Sequence, residues 1–184
     1  MEDQDNEKLQ YPIGRFSPPA DTIEGDRIGW IKDIEDLPLK LRNEIRNFTE
    51  EMLDVPYRPE GWTVRQVVHH LVDSHMNAYL RFKLTLTEDL PAIRPYDEKL
   101  WANLDEAKNS APEPSVALLE ALHKRWVISL RSMQPPDFNR RYFHPEYKKE
   151  YSLHHALALY AWHGKHHLEH IRIVKRKFAE AESL

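Results

Sequence analysis

The chain has 184 residues, 41% of them apolar, with 26 Lys and Arg against 30 Asp and Glu and a formal net charge of −4. This length allows one domain with a sizeable core, and the charge excludes the basic surface typical of nucleic-acid binding. The chain contains no cysteine, which excludes disulfides, thiolate metal ligands and a cysteine nucleophile.

The first ten residues, MEDQDNEKLQ, are acidic and polar. They lack the basic and then apolar pattern of a secretory signal. No window of the chain approaches the roughly 20 apolar residues that a membrane span requires. We therefore expect a cytoplasmic protein that contacts no membrane.

Residues 1–21 are predicted to form an extended arm that ends in FSPPAD. From Thr22 to about Phe48, apolar residues recur every three or four positions, which is the spacing of one face of a helix. Pro38 lies inside this stretch and has no backbone N–H to donate, so we expect a kink near it.

A second helix is predicted to begin after Thr63. The tetrapeptide TVRQ has Thr63 in position to act as N-cap and Gln66 in position to complete a capping box. The apolar spacing then continues to about Thr87. The following connection contains PAIRPYDEKLW and is predicted to be irregular, apart from a short helix over 98–107.

The segment APEP opens a third long helix, and the loop MQPPDFNRRYFHPEYKKEY has enough Tyr and Phe to allow a small hairpin. Ser152 is then predicted to cap a last helix that runs to about Phe178. Four long amphipathic helices indicate an all-α fold, a four-helix bundle. We expect a single domain over 22–178 and a short tail over 179–184.

The last helix contains the stretch YAWHGKHHLEH, residues 160–170, with four of the chain's eleven histidines. His163 and His167 lie on one edge of its apolar stripe and are one turn apart on the same face. Two imidazoles placed in this way can bind one cation. His170 continues that edge, whereas His166 is expected to point further outward. The stripe itself consists of Leu153, Leu157, Tyr160, Leu168 and Ile171.

A third ligand would have to come from another helix, and QVVHHLVDSH on the second helix offers His69, His70 and His75. His75 lies nearest the apolar centre, a position typical of a core residue. His69 and His70 flank it on opposite edges, and His70 occupies the same-handed edge as His163 does on its own helix. Periodicity alone leaves the choice among the three open. Four other histidines have no assignment: His123, His144, His154 and His155. Of these, His154 and His155 lie two helical turns or more from His163, too far to share its ion.

Other catalytic motifs are absent from the sequence. The pattern HExxH fails because Gly164 follows His163, and there is no GxSxG, GxGxxG or P-loop motif. Asp73, Glu60 and Glu169 are candidate general bases, although a carboxylate on a solvated helix face explains each of them as well. The catalytic residues therefore stay unassigned.

Several segments together resemble the YfiT group of the DinB superfamily: YPIGRF, YRPEGWTVRQVVHHLVDSHMN, RFKLTLTE, PAIRPYDEKLW and YAWHGKHHLEHI. The resemblance covers the chain from about Leu9 to Lys177. It implies a four-helix bundle, a homodimer, and one divalent metal ion per chain, zinc or nickel. It also implies the ligands, which are His70, His163 and His167.

The resemblance further implies a metal-dependent hydrolase that activates water for attack on a small-molecule substrate. One alternative is a metal-dependent S-transferase that uses a low-molecular-weight thiol such as bacillithiol or mycothiol. Because the chain has no cysteine, such a transferase would need an external thiol. A second alternative is a non-catalytic bundle that the metal stabilises.

Overall fold

The computed structural model describes residues 2–18 and 24–181. Their helices are α1 (Glu2–Gln10), α2 (Glu24–Ile45), α3 (Glu50–Leu53), α4 (Val64–Thr87), α5 (Glu98–Ala102), α6 (Asp105–Asn109), α7 (Glu113–Ser132) and α8 (Leu153–Ala181). A 3-10 helix spans Pro135–Asn139, and strands β1 (Arg141–His144) and β2 (Lys149–Ser152) form the small hairpin before α8. The hairpin is antiparallel and pairs Tyr142 with Tyr151.

The four long helices α2, α4, α7 and α8 form the predicted four-helix bundle. Helix α2 packs against α7 and α8, and α4 packs against the same two helices. Consequently α2 lies across the bundle from α4, and α7 lies across from α8. Within the described ranges, no helix is long and apolar enough to cross a membrane.

The helix starts follow the predicted capping residues. Thr63 Oγ1 accepts a hydrogen bond from the backbone N–H of Gln66, and the Gln66 side chain accepts one from the backbone N–H of Thr63. Ser152 Oγ accepts from the backbone N–H of His155 at 3.1 Å. These bonds satisfy N–H groups that the first turn of each helix would otherwise leave without partners.

The structure differs from the sequence expectations at three boundaries. Residues Glu2–Gln10 are helical rather than extended. This stretch is rich in Glu, Gln and Lys, which favour helix. Because it has no apolar periodicity, the sequence pattern did not indicate a helix there. The short helix expected over 98–107 is two helices, because Leu104 between them is extended, with ψ 152°. Helix α8 continues past Phe178 to Ala181. The predicted start of the first long helix at Thr22 falls outside the described residues.

A layer of histidines divides the core of the bundle into two apolar clusters. One cluster includes Leu71 on α4, Leu119 on α7 and Leu168 on α8. The other includes Phe82, Trp126 and Tyr160 on the same three helices. Between these positions the helices carry, in chain order, His75, His123, His163 and His167. Polar groups buried in such a layer require partners, because an unpaired buried polar group is costly.

Candidate metal centre

Three histidines from two helices converge at one side of this layer. His70 lies on α4, and His163 and His167 lie one turn apart on α8. One ring nitrogen of each lies within 4.8 Å of the other two, and Nε2 of His70 is 3.2 Å from Nε2 of His163. Nitrogens that share a tetrahedral zinc ion at about 2.0–2.1 Å are separated by roughly 3.3 Å. The observed spacing therefore fits a single divalent ion.

Burial keeps these imidazoles neutral. It lowers the pKa of His70 to about 4, with a smaller contribution from His166. Burial also holds the pKa values of His163 and His167 well below the ordinary value, and neighbouring histidines add to the effect. A neutral imidazole has a lone pair available for a cation, so this donor set suits a metal ion.

Gly164 explains how α2 can pack so closely beside His163 and His167, the two candidate ligands on α8. A Cβ atom added at Gly164 would lie 2.7 Å from Cδ2 of Leu37, a buried residue of α2. The absence of a side chain at this position therefore lets α2 approach the turn between His163 and His167.

The other two histidines of α4 have different roles. His75 is fully buried, as its central position predicted, and it bonds to His123 and His163 rather than joining the converging group. The Nδ1 atom of His69 lies 2.7 Å from Oγ of Ser115 on α7. His70 is therefore the member of the trio whose ring nitrogen meets those of His163 and His167.

His166 and His170 depart from their predicted placement. His166 is buried rather than directed outward, and its ring stacks on that of Trp162 with centroids 4.4 Å apart. Ring nitrogens of His166, His167 and His170 form a second converging group, which the sequence did not indicate. His167 belongs to both groups.

The three converging histidines form part of the wall of a cavity of 420 Å³. The wall also carries Arg81, whose Nη1 donates to Oη of Tyr160 at 3.0 Å. The Tyr160 ring lies 5.9 Å from that of His163. Sequence reasoning missed Arg81, although a signal was present: it follows His70 by eleven residues, three helical turns on the same face. The other polar side chains of the wall are Ser74, Tyr96, Glu98, Tyr142, His144, Glu146, Tyr147, Tyr151, His155 and His166.

None of the three candidate general bases lines this cavity. Glu169 forms ion pairs with Arg172 and Arg176, and Glu60 is exposed with a φ of 57°. Burial raises the pKa of Asp73 to about 6, with a contribution from Glu106, but its carboxylate is not part of the wall. Two exposed carboxylates, Glu98 and Glu146, do line the cavity.

The segment predicted as an arm contributes to the site. Phe16 lines the cavity, and its ring contacts those of His155 and Trp162 at 5.4 and 5.9 Å. Nε2 of His170 lies 3.2 Å from the backbone oxygen of Gln10. Residues before the predicted domain boundary therefore cover one side of the histidines.

Comparison with known proteins places the chain among relatives of one superfamily. A sequence model of the DinB superfamily matches residues 34–171. YfiT of Bacillus subtilis (strain 168) is 48% identical over 169 residues, which cover 92% of this chain and 95% of that protein. A relative from Oceanobacillus iheyensis is 51% identical over 173 residues, which cover 94% and 98% of the two chains. Both relatives are named as metal-dependent hydrolases of unproven activity.

A solved structure of Bacillus subtilis YfiT matches this fold with a TM-score of 0.91 and 48% identity, over 94% of this chain and 98% of the other. That protein is described as "a probable metal-dependent hydrolase with an unusual four-helix bundle topology".

Proposed function

The chain belongs to the DinB superfamily, and on that premise we propose that it is a metal-dependent hydrolase in which His70, His163 and His167 hold one zinc or nickel ion. The observation that carries the proposal is the convergence of three neutral imidazoles on the wall of a cavity large enough for a small molecule. The names of the relatives support the same reaction class.

The ligand set favours a catalytic over a purely structural role for the ion. Three neutral ligands leave the charge of the ion uncompensated and a coordination position open, as in catalytic zinc sites. A divalent ion in such a site lowers the pKa of water to about 7 and polarises a carbonyl or phosphoryl oxygen. The nitrogen donors do not choose between zinc and nickel, because both bind imidazole well.

The cavity also carries groups that can bind a substrate beside the ion. The aromatic rings of Trp62, Tyr160 and Trp162 line the walls and give a substrate an apolar surface to bind. Arg81 and the phenols beside it offer hydrogen-bond donors at the same wall. Such a mixture of apolar walls and a few converging polar groups is typical of small-molecule sites.

The test is turnover of a panel of activated esters and amides by the zinc- and nickel-loaded protein without added thiol. We expect turnover that disappears on chelation, returns when metal is restored, and is absent from both His163→Ala and His70→Ala. His154→Ala is the matched control for His70→Ala, because both residues are on long helices and each is 8% exposed. The His154→Ala variant should keep its activity.

Two other outcomes would contradict the hydrolase. Conjugation of a low-molecular-weight thiol to an electrophile such as chlorobimane, with no turnover in the absence of thiol, would indicate the S-transferase. An ion can hold a thiol as its thiolate, so the same ligands would serve that reaction. No metal-dependent turnover in either assay would favour a bundle that the metal only stabilises.

A further inference from the structure

A row of hydrogen-bonded imidazoles runs from His163 into the interior of the bundle. Nδ1 of His163 lies 3.2 Å from Nε2 of His75, and Nδ1 of His75 lies 2.9 Å from Nε2 of His123. Nδ1 of His123 lies 2.6 Å from the backbone oxygen of Ile34 on α2. These four residues, here called the His163 row, connect three helices to the candidate ligand.

The end of this row determines where every proton lies. A carbonyl oxygen only accepts hydrogen bonds, so Nδ1 of His123 carries a proton and its Nε2, in the neutral ring, has a lone pair. Nδ1 of His75 must then donate to His123, which leaves Nε2 of His75 as an acceptor. Nδ1 of His163 must donate to that acceptor. The lone pair of His163 is therefore on Nε2, which faces His70.

A shorter row of hydrogen bonds determines which ring nitrogen of His167 carries the proton. Nε2 of His170 lies 3.2 Å from the backbone oxygen of Gln10, so it donates, and Nδ1 of His170 has the lone pair. Nδ1 of His167 lies 3.2 Å from that atom and must carry the proton between them. This leaves the lone pair of His167 on Nε2. We call these residues the His167 row.

We propose that His75, His123 and His170 are positioning residues, which hold the two α8 ligands in the tautomer that presents Nε2 to the ion. The proposal rests on the metal site proposed above. The proposal also gives a role to the second converging group, His166, His167 and His170. Because His167 and His170 share one proton between their Nδ1 atoms, this group orients a ligand instead of holding a second ion. Metal-bound histidines generally donate their other ring N–H to an acceptor in this way, and loss of that acceptor costs about 10–100-fold in metal affinity.

The first test uses the metal-free protein and NMR of its histidine ring nitrogens after isotope labelling. We expect His163 and His167 to be protonated on Nδ1 and not on Nε2. In His75→Leu, His163 should lose this preference while His167 keeps it, and His170→Leu should show the reverse. Protonation of His163 or His167 on Nε2 in the unaltered protein would overturn the proposal, whether or not the protein binds metal.

The second test measures affinity for Co²⁺ by competition with a chelator. His75→Leu, His123→Leu and His170→Leu should each bind the ion about 10–100-fold more weakly. His75→Gln should recover most of the affinity, because its amide oxygen can accept the proton of His163. His69→Leu is the control, since His69 is also buried on α4 but bonds to Ser115.

Three results would contradict the assignment of the rows. Unchanged affinity in His75→Leu and His123→Leu would show that the His163 row does not act on the ligand. Equal loss in His75→Gln and His75→Leu would indicate a packing role instead of a hydrogen-bonding one. Binding of two ions per chain, with one lost in His170→Leu, would make the second group a metal site.

A separate observation concerns Arg81. Its Nε is buried without a hydrogen-bond partner. The partners of its guanidinium are neutral phenols: Nη1 donates to Tyr160, and the side chain also interacts with Tyr142. Among the described residues, Arg81 forms no ion pair, although the exposed carboxylates of Glu98 and Glu146 line the same cavity. A half-buried guanidinium without a carboxylate partner keeps its donors available for an anion.

We infer that Arg81 binds an anionic group of the substrate, a carboxylate in the simplest case, while the reacting atom lies at the ion. This inference names the substrate class of the proposed hydrolase and depends on that metal site. The Tyr160 phenol accepts from Arg81, and the Tyr160 ring borders His163. Arg81 is thus joined to the metal centre through a single side chain.

Binding of short thiols to the Co²⁺-loaded protein tests the inference, because a thiolate bound to cobalt changes its visible spectrum. A series of mercaptocarboxylates with two to four carbons is compared with mercaptoalcohols of equal length. We expect the best-fitting acid to bind at least about tenfold more tightly than its alcohol. Arg81→Met should remove this difference between acid and alcohol, whereas Lys83→Met on the exposed side of α4 should retain it.

Equal binding of acids and alcohols, or a preference that survives in Arg81→Met, would overturn the role of Arg81 and leave the metal site intact. Failure of every thiol to change the cobalt spectrum would instead contradict the open coordination position itself, and with it the placement of a substrate between the ion and Arg81.

Discussion

Replacing His163 by alanine should abolish tight binding of zinc or nickel to the purified protein. The unaltered protein should hold about one ion per chain after dialysis, as three converging ligands require. In the proposed site His163 is itself a ligand, so its loss should exceed the roughly 10–100-fold effect of losing a partner that only orients a ligand. His70→Ala and His167→Ala should behave alike. Elemental analysis of dialysed protein measures the result.

The controls for this prediction are histidines outside the converging group. His69→Ala and His154→Ala should retain the ion, because neither residue belongs to the converging group. If His75→Ala strips the ion and His70→Ala does not, the choice of His70 is wrong. A protein that is reproducibly free of metal and fails to take up zinc or nickel would contradict the site as a whole.

The free energy of unfolding of the metal-free protein should fall steeply as the pH is lowered from about 6.5 to about 4. Burial lowers the pKa values of both His70 and His123 to about 4 in the folded state, against an ordinary value of 6.5 that applies after unfolding. In this window the unfolded chain takes up protons and the folded chain does not, so protons favour unfolding. The stability concerned is fully present above pH 6.5 and is lost as the pH approaches 4.

The expected effect is a large fraction of the total stability of a domain. Each of these two imidazoles accounts for about 3 kcal/mol between the two pH limits, against a total stability of about 5–15 kcal/mol for a typical domain. Urea unfolding followed by circular dichroism, with chelator present and at pH steps from 7.5 downward, measures the slope. Below pH 6 we expect uptake of about two or more protons on unfolding. A stability that stays constant between pH 7 and 5 would show that the buried imidazoles are solvated.

The features that sequence reasoning recovered are local along the chain. The capping box of Thr63 and Gln66 and the cap of Ser152 join residues three positions apart, so their spacing is visible without a fold. The same holds for the apolar stripes of the four long helices, which repeat with the period of the helix itself. The α1 helix was missed because all of its residues except Leu9 are polar, so it carries no such stripe.

The features that required the structure connect distant parts of the chain. His123 and Ile34 are 89 positions apart in the sequence, and His170 and Gln10 are 160 positions apart. No periodicity within one helix indicates which imidazole of another helix lies opposite. For the same reason the sequence showed His75 as a buried residue but not as the partner of His163.

The amino-acid sequence alone was therefore sufficient for the number of long helices and for the starts of α4 and α8. It was also sufficient for the pairing of His163 with His167, because one turn of helix places those two rings together. The choice of His70 over His69 and His75 came first from family resemblance, since periodicity did not make it. The packing of α4 against α8 then showed His70 meeting the pair. The order of the imidazoles, and hence the nitrogen that each ligand offers, depends on which rings and carbonyls the bundle brings within hydrogen-bonding distance. That distance is a property of tertiary packing, which no single helix contains.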